Sequence, residues 1–336
     1  MRSIRASERG ADMLLDIDNL AIDLPSPDGP RQVVYDVTFS LAAGESLGVV
    51  GESGSGKTMS ALALMGLLPE GALVSGALRF EGVDIARFGE VEMQKLRGDR
   101  IAMIFQEPMT ALNPLHRVGA QVAEPLILHR GMAKAAAWAE AVKLLDRVKL
   151  RDPERIARAY PFALSGGERQ RAMIAMALSC GPKLIIADEP TTALDVTVQA
   201  RILDLLATLG EQSNMAMLLV SHDLAVIARH CRRVLVMYGG TIMESGPVDA
   251  VLRHARHPYT RALLEARPRA GAPRGERLRA IAGSAPLASG TPTGCPFAGR
   301  CPMAIEACRV TPLPTIEFKG GHRVRCLRVD AEGRLT

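Results

Sequence analysis

No stretch of the 336-residue sequence reaches the roughly 18 uninterrupted apolar residues that a membrane-spanning helix needs. Its longest candidates, such as LLPEGALV (67–74), are broken by proline, glycine or charge. The N-terminus, MRSIRASERGADM, is basic but has no apolar region behind it, so it does not read as a secretory signal. A soluble chain in the cytoplasm, with reduced thiols, is the expectation. Aromatic residues are also scarce, at 4% of the chain, and none lies in the arginine-rich stretch RPRAGAPRGERLRAIAGSAPLASGTPTG (267–294). From Arg253 onward there are 15 Arg and Lys against 6 Asp and Glu, a net +9 that could suit an anionic partner. Without rings to stack on bases, this stretch reads as a solvated linker and nucleic acid is not expected as a partner.

What is present is a chain long enough for about two domains, with 48% hydrophobic residues to fill a core. Residues 14–24 and 31–41 alternate apolar and polar, the period of half-buried strands. Short apolar runs recur in SLGVV (46–50), KLIIA (183–187), AMLLV (216–220) and VLVMY (234–238), and read as core strands of a parallel sheet. Between them the apolar spacing is helical: Trp138, Ala141, Val142, Leu145 and Val148 share one face, as do Val198, Ile202, Leu205, Leu206 and Leu209. Strands alternating with helices predict an α/β fold. Residues 88–160 carry helical periodicity and no strand beyond IAMIF, so they read as a helical insertion.

GVVGESGSGKT (48–58) ends a predicted strand and opens a predicted helix. Gly51, Gly56, Lys57 and Thr58 stand at phosphate-loop spacing, with Ser53, Gly54 and Ser55 between them. Such a loop curls backbone N–H groups around a β-phosphate, Lys57 neutralises the β- and γ-phosphates, and the Thr58 hydroxyl can ligate Mg²⁺. A nucleoside triphosphate is the expected ligand. LIIADEP (184–190) then ends an apolar strand in two carboxylates. Asp188 is expected to hold Mg²⁺ and Glu189 to act as general base toward water.

LSGGERQR (164–171) resembles the signature of ATP-binding cassette ATPases, the engines of ABC transporters. The other motifs stand in that family's order: Gln106 in IFQEP resembles the Q-loop, Asp195 in TTALD the D-loop, and His222 in VSHD the switch histidine. The resemblance implies ATP as substrate, Mg²⁺ held by Thr58, Gln106 and Asp188, and His222 at the γ-phosphate. Ser165, Gly166 and Gly167 precede a predicted helix whose N-terminus is a second anion site. In the family that site faces the ATP of a second cassette, related or identical, so two subunits close on the nucleotide together. One departure is visible: the position that usually carries an adenine-stacking aromatic falls near Leu24, and the only aromatic nearby, Tyr35, belongs to the next strand.

FQEPMTALNPLHRVGAQVAEPL (105–126), YPFALSGGERQR (160–171) and HPYTRALLEARP (257–268) resemble importers of oligopeptides, dipeptides and nickel. The resemblance runs from Leu14 to Leu327. It implies two transmembrane permease subunits, a periplasmic solute-binding protein, and a place on the cytoplasmic face of a bacterial inner membrane. The expected division is a flexible N-terminus over 1–13, the ATPase domain over 14–252 with a helical subdomain at about 107–175 following the Q-loop, a helix and linker arm over 253–294, and a cysteine segment over 295–336. An antiparallel β subdomain is implied as well. The cargo is expected to be a peptide or related small solute, with nickel or another metal chelate as alternative. An ATPase acting on nucleic acid or ribosomes, or a metal-sensing module, are readings of other classes.

Cys295, Cys301, Cys308 and Cys326, separated by five, six and seventeen residues, gather in the last segment. In a reducing compartment disulfides are not expected. Four thiolates suit a [4Fe–4S] cluster or zinc, and free thiols packed in a small hairpin are the third reading. The gaps are wider than zinc knuckles use, which points toward the cluster. The linker arm is expected to hold this segment away from the phosphate site. Cys180 and Cys231 fall in core patterns and read as inert apolar residues.

Overall fold

The computed structural model describes residues 13–106, 111–190, 196–266, 281–284 and 293–335. β1 (Met13–Leu24) and β2 (Arg31–Ala42) are the two alternating segments, and they pair antiparallel. β3 (Ser46–Val50) leads into the phosphate loop and then α1 (Lys57–Leu64). β4 (Leu73–Phe80) and β5 (Val83–Asp84) complete a four-stranded antiparallel sheet in the order β2-β1-β4-β5.

After α2 (Glu90–Leu96) and β6 (Ile101–Ile104) the chain becomes helical, through α3 (Val118–Arg130), α4 (Lys134–Arg147), α5 (Pro153–Arg158) and α6 (Gly166–Leu178). The buried face of α4 is Ala137, Ala141, Leu144 and Leu145, which recur at helical spacing. β7 (Leu184–Asp188), α7 (Val196–Ser213), β8 (Ala216–Ser221), α8 (Leu224–His230), β9 (Arg233–Tyr238) and β10 (Thr241–Pro247) follow. β9, β3, β8, β7 and β6 run parallel side by side, with each phosphate-site segment leaving a carboxyl end of this sheet. Because successive strand residues face opposite ways, the sheet buries two cores. Leu184, Ile186, Leu218 and Val220 pack toward β1, β2 and α1, while Ile185, Ala187, Met217 and Leu219 pack toward the helices.

Beyond α9 (Val248–Arg253) and α10 (Pro258–Glu265), the C-terminal segment does not stand apart from the nucleotide-binding body as the linker composition suggests. Past the short α11 (Ala307–Val310), β11 (Thr315–Phe318) and β12 (His322–Arg325) form a hairpin, and β12 pairs with β10. The large sheet thereby runs β11-β12-β10-β9-β3-β8-β7-β6. An uncovered β10 would leave a row of unpaired backbone groups, and the hairpin supplies their partners. Buried Glu244 fastens the join, accepting the Arg256 and His257 N–H groups at 2.7 and 3.1 Å and facing His322 Nε2 at 2.8 Å. Among the described residues no helix is long and apolar enough to cross a membrane.

Candidate nucleotide site

The phosphate loop is shaped by close packing at its start and by an open helix end at its finish. A Cβ on Gly51 would run into the Met237 carbonyl oxygen, so the loop passes β9 only as glycine. Gly56 holds φ +96° at the N-cap of α1 and no side chain caps that end. The first N–H groups of the helix are thus left for an anion. Ser53 and Gly54 are exposed at the loop tip, whereas Ser55 is buried beneath it.

Lys57 lies inside this loop, its ammonium donating to the carbonyl oxygens of Gly51 and Glu52, each at 2.9 Å. Burial lowers its pKa, against the raising influence of Glu189, Asp188 and Glu52. The Thr58 hydroxyl donates to Asp188 Oδ1 at 3.3 Å. Asp188 is 2% exposed, and burial raises its carboxyl pKa despite the Thr58 bond. A buried carboxylate beside a hydroxyl at the foot of the phosphate loop is an oxygen donor set suited to Mg²⁺.

Glu189 follows on the same strand end at φ +43°, a left-handed backbone rarely used outside glycine. Its N–H donates to the Val220 carbonyl at 2.9 Å, which ties the turn to β8. Gln106 Nε2 donates to Glu189 Oε2 at 3.2 Å, and His222 Nδ1 lies 3.2 Å from Oε1. Two residues far apart in sequence thus meet on the Glu189 carboxylate.

Ser165 caps α6 in a reciprocal box: its Oγ accepts from the Glu168 N–H at 3.3 Å, and its own N–H donates to Glu168 Oε2 at 2.8 Å. The Ser165 N–H first, and its hydroxyl donating to Glu168 Oε2 at 2.9 Å, hold the Glu168 carboxyl below its usual range. Ser165 is exposed and Gly166 and Gly167 are half-buried. Asp195 lies outside the described residues. Tyr35 is buried, its hydroxyl donating to the Gln32 carbonyl at 2.6 Å, so its ring is committed to packing.

Two connections were not visible in the motifs. Buried Gln170, inside the signature helix, donates to the carbonyl of Pro190 just past Glu189. Glu52, a position the loop motif leaves unspecified, donates its N–H to the Tyr259 hydroxyl at 2.9 Å, and its carboxylate accepts from Arg300 at 2.7 Å. Gln170 had a signal in its place inside LSGGERQR, whereas Arg300 had none.

Comparison with known proteins shows the family. Residues 34–192 match the ABC transporter family and residues 243–308 match the oligopeptide/dipeptide transporter C-terminal region. The oligopeptide transport ATP-binding protein OppD of Escherichia coli is 48% identical over 326 residues, spanning 97% of this chain and 96% of that protein. The chain belongs to the ABC transporter ATPases, in their oligopeptide and dipeptide branch. OppD of Haemophilus influenzae is 47% identical over 93% of this ABC ATPase and 96% of its own length. Among solved structures, the ATP-binding cassette MJ0796, a dimer bound to ADP and Pi, superposes with a TM-score of 0.63 at 28% identity over 70% of this chain and 98% of its own. The fold is that of an ABC cassette, α/β with an antiparallel sheet, and ATP hydrolysis is its chemistry.

Of the four C-terminal cysteines, Cys308 lies in α11 and Cys326 just after β12, and the Cys295 N–H donates to the Cys308 carbonyl at 2.7 Å. Burial pushes the Cys295 thiol up to about 12, with Cys326, Cys301 and Cys308 adding to the rise, and burial likewise raises Cys301 and Cys326. Yet among the described residues no group of three or more His, Cys, Asp or Glu side chains is arranged to hold a metal ion. As placed, the donor set matches a metal centre in composition and not in geometry.

Proposed function

We propose that this chain is the ATP-hydrolysing subunit of an importer for dipeptides, oligopeptides or a related small solute. The observation that carries the reading is the meeting of Gln106 and His222 on Glu189, beside the phosphate loop, in a chain that OppD matches end to end. Lys57, with the loop from Gly51 through Ser53, Gly54, Ser55 and Gly56, binds the phosphates. Thr58, Asp188 and Gln106 hold Mg²⁺. That ion, when bound, neutralises charge on the transferring phosphoryl group. Glu189 accepts the proton of the attacking water, and His222 holds the γ-phosphate side of the site. Ser165, Gly166 and Gly167 face the nucleotide of a second cassette, with Asp195 at the same interface.

Two permease subunits in a bacterial inner membrane and a periplasmic solute-binding protein complete the assembly, with this subunit on the cytoplasmic face. Closure around ATP and reopening after hydrolysis drives the permeases. The decisive experiment reconstitutes the chain with its permeases and partner cassette in vesicles and follows ATP-dependent uptake of labelled peptide. Peptide uptake stimulated by the loaded binding protein supports the reading. Uptake of a nickel chelate instead of peptide favours the metal branch, and hydrolysis indifferent to any permease overturns both.

For Cys295, Cys301, Cys308 and Cys326 the reading is a [4Fe–4S] centre, with zinc as alternative. The mutual influence of Cys295, Cys301, Cys308 and Cys326 supports it, while no group of three or more of these side chains is arranged to hold a metal ion among the described residues. Anaerobically purified protein should hold about four irons per chain for the cluster. Stoichiometric zinc would select the alternative, and a metal-free, folded C-terminus would end both.

A further inference from the structure

Arg300 sits between Cys295 and Cys301, 248 positions from Glu52, yet its guanidinium reaches the phosphate loop. Its side chain is 9% exposed. One nitrogen donates to Glu52 Oε2 at 2.7 Å and to the Tyr238 hydroxyl at 3.1 Å. The others donate to the carbonyl oxygens of Ala282 and Ile281 at 2.8 and 3.1 Å. All three guanidinium nitrogens therefore donate, and the charge is fixed in place.

The surroundings make the contact a docked surface. Phe297, 1% exposed, packs edge-on against Tyr238 with centroids 5.2 Å apart and against Tyr259 at 5.3 Å. Pro296 lies so close to Gly239 that a Cβ there would approach its ring carbon to 2.8 Å. Tyr259 in turn accepts the N–H of Glu52 at 2.9 Å. Glu52 is thus held at both its backbone and its carboxylate, and its carbonyl receives the Lys57 ammonium.

We infer that Arg300 is a positioning residue for ATP binding: it neutralises and fixes Glu52, so that the phosphate loop meets the polyphosphate without an uncompensated carboxylate beside Lys57. The inference rests on the nucleotide-site reading above and extends it, by making the C-terminal cysteine segment part of the apparatus that sets ATP affinity. A free carboxylate at Glu52 would repel the incoming anion and compete for the Lys57 ammonium. Since Arg300 touches no reacting atom, its loss weakens ground state and transition state alike, which raises KM and spares kcat.

The test measures ATP hydrolysis by the full chain in its assembled complex, with binding of a fluorescent ATP analogue in parallel and melting curves to establish folding. Arg300→Ala should raise KM for ATP about tenfold, the scale of one partly screened charge, with kcat within about twofold. Adding Glu52→Gln to Arg300→Ala should return KM to within about threefold of wild type, because the offending charge is gone. Arg300→Lys keeps the charge and loses the fork, so its KM should fall between wild type and Arg300→Ala. An unchanged KM in Arg300→Ala, or a double variant as weak as the single one, would overturn the inference and leave Arg300 as a staple of the fold. Should Arg300→Ala not fold, Arg300→Lys is compared with Arg300→Lys/Glu52→Gln: a raised KM relieved in the second supports the inference, and equal values overturn it. Absence of ATP hydrolysis by the wild-type complex would instead strike the functional reading.

Discussion

His222 Nδ1 stands 3.2 Å from Oε1 of Glu189, and Gln106 Nε2 stands the same distance from Oε2. The carboxylate is aimed from two sides. Such aiming is what a general base needs, since proton transfer demands a fixed approach to the attacking water. Glu189→Gln keeps the shape and removes the basicity. Turnover should fall about 10²-fold or more while ATP binding persists and the closed dimer accumulates. Single-turnover hydrolysis with a binding assay checks this, and undiminished hydrolysis would remove Glu189 from the role.

Asp188 shows the opposite side of the same arrangement. Its folded pKa is raised, by burial first, so the folded state holds its proton more tightly than the unfolded state does. The sign follows: stability falls as pH rises from the ordinary carboxyl range through the raised one, and at neutral pH the ionised group costs stability. Asp188→Asn should therefore raise the melting temperature of the Mg²⁺-free protein, by about 2–4 °C for each kcal/mol recovered, while Mg²⁺-dependent hydrolysis is lost. Calorimetry with and without Mg²⁺ and ATP decides it. A lower melting temperature in the variant would mean that the charge is already compensated by the protein.

Much of this site was legible because its chemistry is local. The phosphate loop, Asp188 with Glu189, and the capped start of α6 each lie within a dozen residues, where spacing alone fixes geometry. The alternating segments became β1 and β2, and the apolar runs became β3, β7, β8 and β9. β4 escaped notice because exposed Leu73 and Val74 lead into small residues, a pattern with little strand character until β1 pairs with it. Least legible was the docking of the C-terminal segment. A linker rich in proline, glycine and arginine suggests distance, and composition says nothing about where the chain returns. Phe297 and Arg300 return it to the phosphate loop through contacts no local pattern encodes.

Ser165 tests the sharing of sites between two cassettes. Its hydroxyl caps α6 and the residue is exposed at that helix end, which the proposed function assigns to the partner's nucleotide. Ser165→Arg fills that end with a long side chain. Nucleotide affinity of the isolated chain should change little, since Lys57 and its loop are untouched, although losing the cap should cost about 1 kcal/mol of stability. Hydrolysis of the ATP held by the partner cassette should collapse. Mixed dimers carrying the change on one side locate the defect, and a loss of ATP affinity confined to the mutated chain itself would contradict a site completed by its partner.

His257 provides a pH test of the C-terminal docking. It is 1% exposed, its Nδ1 accepts the Tyr259 N–H at 3.0 Å, and burial lowers its pKa to about 4, against the pull of Glu244. The folded state keeps this ring neutral while the unfolded chain binds a proton near pH 6.5. Stability is thus full above about pH 6.5 and is lost as pH falls toward 4, by about 3 kcal/mol if the group acts alone. Protonation would also end the bond to Tyr259, whose hydroxyl holds Glu52, so acid should loosen the phosphate loop together with the fold. His257→Asn keeps a side-chain acceptor at this helix start and removes the titration. The variant should be less stable at pH 7, because the ring leaves a cavity beside Phe297, yet its melting temperature should decline less between pH 6.5 and 4 than that of the wild type. Parallel pH profiles in the two proteins would show that His257 is not the group responsible.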